Sequence, residues 1–388
     1  MDLRFTERER AFRAECRAWL RENSPHDGLS GDTAEGFAAH LQWEKALFEA
    51  GLAVVSWPKQ YGGREASLIE WLIFEEEYYL SGAPPRVTQN GIFLLAPSLY
   101  EYGTEAQKDR WLRAMASGEF NWAQAWSEPG AGSDLANQGA RAERVEGGWR
   151  LTGQKTWTTR GAWCQGIYGL FRTDPDAARH RGLTYFLVEL DRPGITVRPV
   201  ERLDGDEGFA EVFLEDVFVP DDAVLGEVNQ GWRVAMTTTS SERGLTLRSP
   251  GRFLAAAERL ADLYRGLGDG ADPALRDRVV RAWMDAQAYR LHTFQTVARM
   301  LSGQPIGAES SLTKIFWSEM DIRIHEAAMD LLGEAAAMEF GAAEAPDGGR
   351  WTKGYQFALA GTIYAGTNEI QRNLVAQRVL GLPREKRR

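Results

Sequence analysis

The period of the hydrophobic pattern changes twice along this chain, near residues 121 and 228, and that change restricts the fold more than any single residue does. Up to about residue 120, apolar residues recur at three- and four-residue spacing in Phe5 to Leu20, Phe37 to Leu52 and Leu68 to Leu80, the stripe of amphipathic helices. Turn signals, Ser56-Trp-Pro-Lys-Gln-Tyr-Gly-Gly63 and Gly82-Ala-Pro-Pro85, separate them. From 121 to 228 the pattern shortens. Trp149-Arg-Leu-Thr-Gly153, Leu183 to Leu190 and Val212 to Val219 are β-rich runs bounded by Gly, Pro and Asp. After Gly231-Trp232 the helical period returns through Leu254 to Leu267, Ala274 to Leu301, Ser311 to Leu332 and Gln356 to Leu380. The expected fold is α+β: an N-terminal α-helical domain over 1–120, a middle β domain over 121–228 and a C-terminal α-helical bundle over 229–388.

Length agrees with several structural units, because single cores stop growing near about 250–300 residues and this chain has 388. A net charge of -10 disfavours a general nucleic-acid binder, which would present a basic surface. No apolar run is long enough to span a bilayer, and Met1 to Arg10 is too mixed in charge for a secretory signal or an anchor. The only cysteines are Cys16 and Cys164. They offer neither metal spacing nor a disulfide framework, so a reducing, cytoplasmic location without a metal site is expected. Cys16 falls on the apolar stripe of the first helix and reads as core. The chain has no internal repeat, and Glu385-Lys-Arg-Arg388 reads as a frayed tail.

Three short stretches carry the chemistry. In Trp126-Ser-Glu-Pro-Gly-Ala-Gly-Ser-Asp134, glycines at 130 and 132 let backbone amides approach a planar or anionic ligand, although a surface turn would have the same composition. In Gly153-Gln-Lys-Thr-Trp-Thr-Thr159, Trp157 can lie against a ring and the Thr159 hydroxyl can bond to its edge; an isolated Trp in a strand would more simply fill the core. Gly366-Thr-Asn-Glu-Ile-Gln-Arg-Asn373 reads as a helix N-terminus capped by Thr or Asn, with Glu369 at the positive end of the dipole. A GxGxxG fingerprint of the Rossmann type is missing.

Taken together, these stretches and the helix, β, helix order resemble the acyl-CoA dehydrogenase family over nearly the whole chain. The resemblance implies an FAD cofactor contacted by Gln124, Trp126, Ser127, Gly132, Ser133, Trp157, Thr159, Thr367 and Glu369. It also implies desaturation of an acyl-CoA thioester to a trans-2-enoyl product, electron transfer to an electron-transferring flavoprotein, and a homotetramer or mixed tetramer. Three departures stand out. Ala365 occupies the position where many members carry the catalytic glutamate, the Arg-x-x-Phe-Gly loop is not evident after Gly251, and the usual Gly-Gly is Gly333-Glu334.

Desaturation needs one carboxylate to take the acidic α proton and an acceptor for the β hydride. In members with Ala or Gly at the position of Ala365, the base comes from a Glu-Arg pair on the first long helix after the β domain. Glu242-Arg243 in Ser240-Ser-Glu-Arg-Gly244 matches that pattern. Read without context, the same pair is an exposed helix ion pair. Ala365 keeps the backbone N–H that serves the thioester oxygen in the family. Alternatives on the same fold are an acyl-carrier-protein thioester dehydrogenase, a flavin monooxygenase and a non-catalytic partner subunit.

Overall fold

The computed structural model describes residues 4–25, 28–243, 249–268, 272–304 and 306–384, and for residues 240–243 it describes the backbone alone. In chain order, helices α1 (Glu7–Asn23), α2 (Ala34–Glu49), α3 (Leu68–Leu80), α4 (Ala96–Tyr102) and α5 (Glu105–Ala116) come first. Strands β1 (Trp122–Gln124), β2 (Arg141–Val145), β3 (Gly148–Lys155), β4 (Gly166–Arg172), β5 (Leu183–Glu189), β6 (Ile195–Val200) and β7 (Phe209–Pro220) follow. Then come α6 (Gly231–Arg243), α7 (Pro250–Gly266), α8 (Pro273–Leu301), α9 (Ser310–Leu332), α10 (Arg350–Leu359) and α11 (Asn368–Leu374). The class is the α+β arrangement expected from the sequence. The chain forms two compact units, one of Met1–Ser24, Ser67–Ala83 and Arg243–Arg388, the other of Pro25–Ala66 and Pro84–Glu242. The division passes between Glu242 and Arg243.

The second of these units contains the sheet, with strand order β1-β4-β2-β3-β7-β6 and β5 paired to β4. β2 and β3 form an antiparallel hairpin across Glu146, Gly147 and Gly148, with Val145 opposite Gly148. Its inner face is built from Leu151, Ile167, Phe171, Phe186, Val188, Val212, Leu214, Val217 and Val219, all buried. Full burial of each such side chain contributes about 1.5–3 kcal/mol. β3 pairs with β7 through a register shift between Leu151 and Gly153. Gly153 makes that bulge possible, since its φ is 153° and a Cβ there would lie 2.4 Å from the Ala140 Cβ. Near β4, where the Tyr168 hydroxyl donates to the Asn90 carbonyl, segment Asn90–Leu95 winds as a π-helix before α4, a form common near functional sites.

Helices make up the other unit. Thr6 with Glu9 and Ser67 with Glu70 form reciprocal capping boxes that start α1 and α3. Ser249 and Asp272 cap α7 and α8, each followed by Pro at the first turn, where its missing N–H costs nothing. Their shared core contains Phe253, Leu260, Tyr289, Trp317, Met320, Ile324 and Trp351. Cys16 is buried in α1, as its place on the stripe implies. The Glu76 and Glu77 carboxylates of α3 are buried and accept hydrogen bonds from Arg13; Arg17 also reaches Glu77 and Arg290 also reaches Glu76. The helical period read continuously from Gln356 to Leu380 is broken between α10 and α11. Ala365 and Gly366 both adopt positive φ, 57° and 77°, which no right-handed helix can contain.

Among the described residues, no helix is long and apolar enough to cross a membrane. The tail Glu385–Arg388 lies outside the described residues. One glycine links the sheet to the loop that follows β1. A Cβ on Gly169 of β4 would lie 2.4 Å from the Ala125 carbonyl oxygen, a backbone atom that cannot swing aside. Gly169→Ala should therefore destabilise the protein by about 1–3 kcal/mol. Chemical denaturation checks this, and an unchanged midpoint would contradict it.

Candidate active site

Lys155, at the end of β3, is fully buried. Its ammonium donates to Glu128 Oε1 at 2.7 Å, Gln138 Oε1 at 2.5 Å and the Leu170 carbonyl at 2.7 Å. Burial lowers its pKa to about 8, although the Glu128 carboxylate pulls the other way. Glu128 in turn accepts from the backbone N–H groups of Gly139 at 2.6 Å and Ala140 at 3.1 Å. A buried pair so fully hydrogen-bonded is costly to break, because the remaining charge is left without a partner. The pair holds the 126–134 loop to the end of β3, and the Thr156 N–H closes the junction on the Ser127 carbonyl at 2.8 Å.

Beyond that junction the chain leaves the strand in a strained turn. Trp157 and Arg160 both have positive φ, 57° and 56°. Such non-glycine residues cost about 1–3 kcal/mol each and persist only where surrounding contacts determine them. Those contacts are present. Thr158 and Ala210 exchange both backbone hydrogen bonds, the Arg160 N–H reaches the Gly208 carbonyl, and Asn90 Nδ2 reaches the Thr159 carbonyl at 3.5 Å. The result is an indole that is 60% exposed, meeting Phe209 edge-on at 5.8 Å.

Several features of this surface fit a flavin. Gly130 and Gly132 have ordinary φ, and a Cβ at either would meet no protein atom within 4 Å, so neither packing nor backbone conformation demands glycine there. Among the described residues, the buried Trp126 Nε1 and Thr158 Oγ1 find no hydrogen-bond partner. Ser133 is exposed beside Gly132, Ser127 and Thr159 are half-buried, and Gln124 ends β1 opposite Tyr168. A presented indole, small residues and spare donors suit a planar ring system that hydrogen-bonds at its edge. Burial pushes the Cys164 thiol up to about 12, against the opposing pull of Arg160.

Helix α6 follows the β strands and is tied to this unit by hydroxyls. Thr238 Oγ1 lies 2.7 Å from Ser98 Oγ and 3.2 Å from the Tyr185 hydroxyl, and Thr237 donates to Glu101 at 3.0 Å. The helix continues through Glu242 and Arg243. The side chains of both lie outside the described residues.

In the helical unit, the segment from Ala365 to Glu369 is tied to the start of α11 and to α9. Gln371 Nε2 donates to the carbonyls of Ala365 at 2.9 Å and Gly366 at 3.2 Å, both of which belong to the left-handed bend. Asn368 accepts from the buried Lys314 ammonium at 2.7 Å and from Ser318 at 3.2 Å. Thr367 caps α11 by accepting from the Ile370 N–H at 3.3 Å. The Glu369 carboxyl is held below its ordinary value by its own backbone N–H first, then by the Thr367 hydroxyl. The structure thus places Gln124, Trp126, Ser127, Gly132, Ser133, Trp157 and Thr159 on one unit and Ala365, Thr367 and Glu369 on the other.

Residues 6–119, 123–217 and 229–380 match the N-terminal, middle and C-terminal domains of acyl-CoA dehydrogenase. Acyl-CoA dehydrogenase IpdE1 from Mycolicibacterium smegmatis is 39% identical, over 96% of this chain and 98% of its own. Among solved structures, the Tcur3481-Tcur3483 steroid ACAD is 29% identical with a TM-score of 0.90, over 99% of this chain and 100% of its own. The ChsE4-ChsE5 complex from Mycobacterium tuberculosis is 27% identical with a TM-score of 0.84, over 99% and 100%. The chain belongs to the acyl-CoA dehydrogenase family. It is accordingly a flavoprotein oxidoreductase with FAD as cofactor.

Sequence reading missed the groups that support this surface. Glu128 and Lys155 lie inside the quoted motifs, and the flanking β pattern that turns Lys155 inward was the available signal. Asp32 had no local signal. Its carboxylate accepts from Arg160 Nε at 2.7 Å and Arg202 Nη1 at 2.6 Å, partners far away in sequence. Burial raises the Asp32 pKa, but Arg160 and Arg202 outweigh that and hold it below the ordinary carboxylate value. A carboxyl depressed in the folded state stabilises the protein above its unfolded pKa, and that stability is lost as pH falls through the folded value. Asp32→Asn should therefore be less stable than the parent at neutral pH, with the gap closing in acid below the ordinary carboxylate range. Denaturation midpoints across pH test this; a gap that widens in acid would contradict it.

Proposed function

We propose that the protein desaturates an acyl-CoA thioester between Cα and Cβ, with Glu242 as the base that removes the α proton. FAD, when bound, supplies the acceptor for the β hydrogen leaving as hydride. Trp157 offers its indole to the isoalloxazine, and Thr159 and Ser127 offer hydroxyls to its edge. Gln124, Trp126, Gly132, Ser133, Thr367 and Glu369 complete the proposed set of cofactor contacts. Ala365 offers its N–H to the thioester oxygen, and Arg243 stands beside the base as its charge partner.

The observation that carries the reading is the absence of any ionisable side chain at Ala365, which leaves the family chemistry without a base unless another acid supplies it. Glu242 is the acid in the place where family members of this kind carry theirs. Its backbone lies in α6, which the buried Thr238, Ser98 and Tyr185 hydroxyls hold one turn earlier. Moving the base leaves the amide of residue 365 in the chain, so proton abstraction and stabilisation of the thioester oxygen can be separated. A methyl in place of the longer carboxylate also leaves more room beside the reacting carbons.

The acyl group is proposed to be large and alicyclic, because one solved relative is a steroid ACAD. The ChsE4-ChsE5 complex contains two named components. By analogy we propose that this chain works in a mixed tetramer with a second, related subunit, or else as a homotetramer. Electron-transferring flavoprotein is the proposed oxidant, and the cytoplasm the proposed location.

Anaerobic titration of the FAD-loaded protein with CoA and carrier-protein thioesters tests the reaction. Bleaching of the flavin band by an acyl-CoA is the expected result. Product formation that requires oxygen would indicate a monooxygenase instead. Glu242→Gln should remain yellow yet lose α-proton abstraction by about 10²–10⁴-fold, the range of a positioned general base. Ala365→Glu in that background should restore part of it. Full turnover by Glu242→Gln would refute the assignment.

A further inference from the structure

We propose that Arg160, clamped by the Asp32 carboxylate that Arg202 holds from its other oxygen, is a positioning residue that fixes the left-handed turn presenting Trp157 and Thr159, and so sets how tightly and in what environment FAD is held. The inference rests on the reading of Trp157 and Thr159 as flavin contacts.

Arg160 is the last residue of the strained turn and is buried. Its Nε donates to Asp32 Oδ1 at 2.7 Å and its Nη1 to the Arg86 carbonyl at 3.4 Å. Both contacts turn the guanidinium toward the protein at the end of the turn. The counter-anchor is equally fixed. Arg202 donates to Asp32 Oδ2 at 2.6 Å and to Asp204 Oδ1 and Oδ2 at 3.0 and 2.7 Å, while Ser30 donates to Asp206 at 2.5 Å. His40 lies between the Leu29 and Pro85 carbonyls, at 3.2 and 3.0 Å, and holds the segment before Asp32.

Backbone packing shows that this network is built in. A Cβ on Gly208 would fall 2.4 Å from Arg202 Nη1 and 3.1 Å from the Asp32 Cβ, and the same Gly208 carbonyl accepts the Arg160 N–H. A Cβ on Gly31 would fall 2.7 Å from His40 Nδ1. Carboxylate, two guanidiniums and two obligatory small residues therefore meet at the end of the turn. A buried, bulky residue at positive φ is strained, and contacts of this kind offset the strain. Charge-assisted contacts are also stronger than neutral ones and more exacting in direction, as holding a ring platform requires. Between Trp157 and Arg160 lie only Thr158 and Thr159. A change in the Arg160 backbone is thus transmitted directly to both residues assigned to the flavin.

The test compares FAD dissociation constants and the position of the bound flavin absorbance bands in the full-length protein. Arg160→Gln should weaken FAD by about tenfold or more, the loss of one charged contact, and should shift the bands; Arg160→Lys should recover part of both. Asp32→Asn, a milder change at the other end of the clamp, should move both readouts in the same direction. Leu260→Ala, a core cavity in the helical unit, is the stability control and should leave the bands in place. Binding within twofold of the parent in Arg160→Gln would overturn the inference, as would equal effects in Leu260→Ala. If Trp157→Ala leaves the bands unmoved, the underlying flavin assignment falls, and the inference falls with it. If Trp157→Ala moves them and Arg160→Gln does not, the positioning role alone is refuted.

Discussion

The Lys155 to Glu128 ion pair is the contact on which the candidate flavin surface depends. It joins two segments that are distant in sequence, the loop after β1 and the end of β3, at a point where the Lys155 side chain is fully buried and Glu128 nearly so. The glycine-rich loop and the tryptophan-bearing turn are mobile kinds of sequence, and neither would hold a fixed geometry alone. A buried charge with several partners resists displacement because every partial opening leaves a polar group unsatisfied. The backbone bond from Thr156 to Ser127 then converts that anchor into register between the loop and the turn.

Irregular backbone lies on both sides of that anchor. Gly153 bulges the strand, Lys155 turns inward, Trp157 adopts left-handed geometry and Arg160 repeats it before the chain rejoins the core. Strain of this kind is expected where a fold presents a side chain that packing would otherwise bury. The helical unit has a corresponding feature in Ala365, a left-handed alanine whose carbonyl is held by Gln371. At both places a non-glycine residue is kept in a conformation that glycine would adopt freely. At both, the family resemblance assigns a functional role to the same residue or its neighbour.

Much of this was legible in the sequence, for physical reasons that differ between elements. β5 and β7 declared a sheet through β-rich runs bounded by Gly, Pro and Asp; β7 is largely buried at alternate residues, whereas β5 is buried on both faces along most of its length. Long helices such as α8 and α9 declared themselves through apolar spacing and, in α8, through Asp272-Pro273 at its start. The interruption at Ala365 was not legible from periodicity, since alanine is a strong helix former and the bend is held by a side chain of the next helix, Gln371, rather than by a backbone signal of its own. Arg160 and Asp32 were illegible for another reason. Their contact spans 128 residues, and no local pattern distinguishes a buried arginine in a turn from a solvated one. Glu128 and Lys155 stood inside recognised motifs, yet the motif explained their neighbours and left their own chemistry unassigned.

The measurement that bears most directly on this account is FAD affinity across a double-mutant cycle of Glu128→Gln and Lys155→Met. If the buried pair organises the flavin surface, each single change should weaken FAD by about tenfold or more, and the double change should be no worse than the more damaging single one. Single variants that bind FAD as tightly as the parent, or losses that simply add, would contradict the claim that this pair holds the surface together.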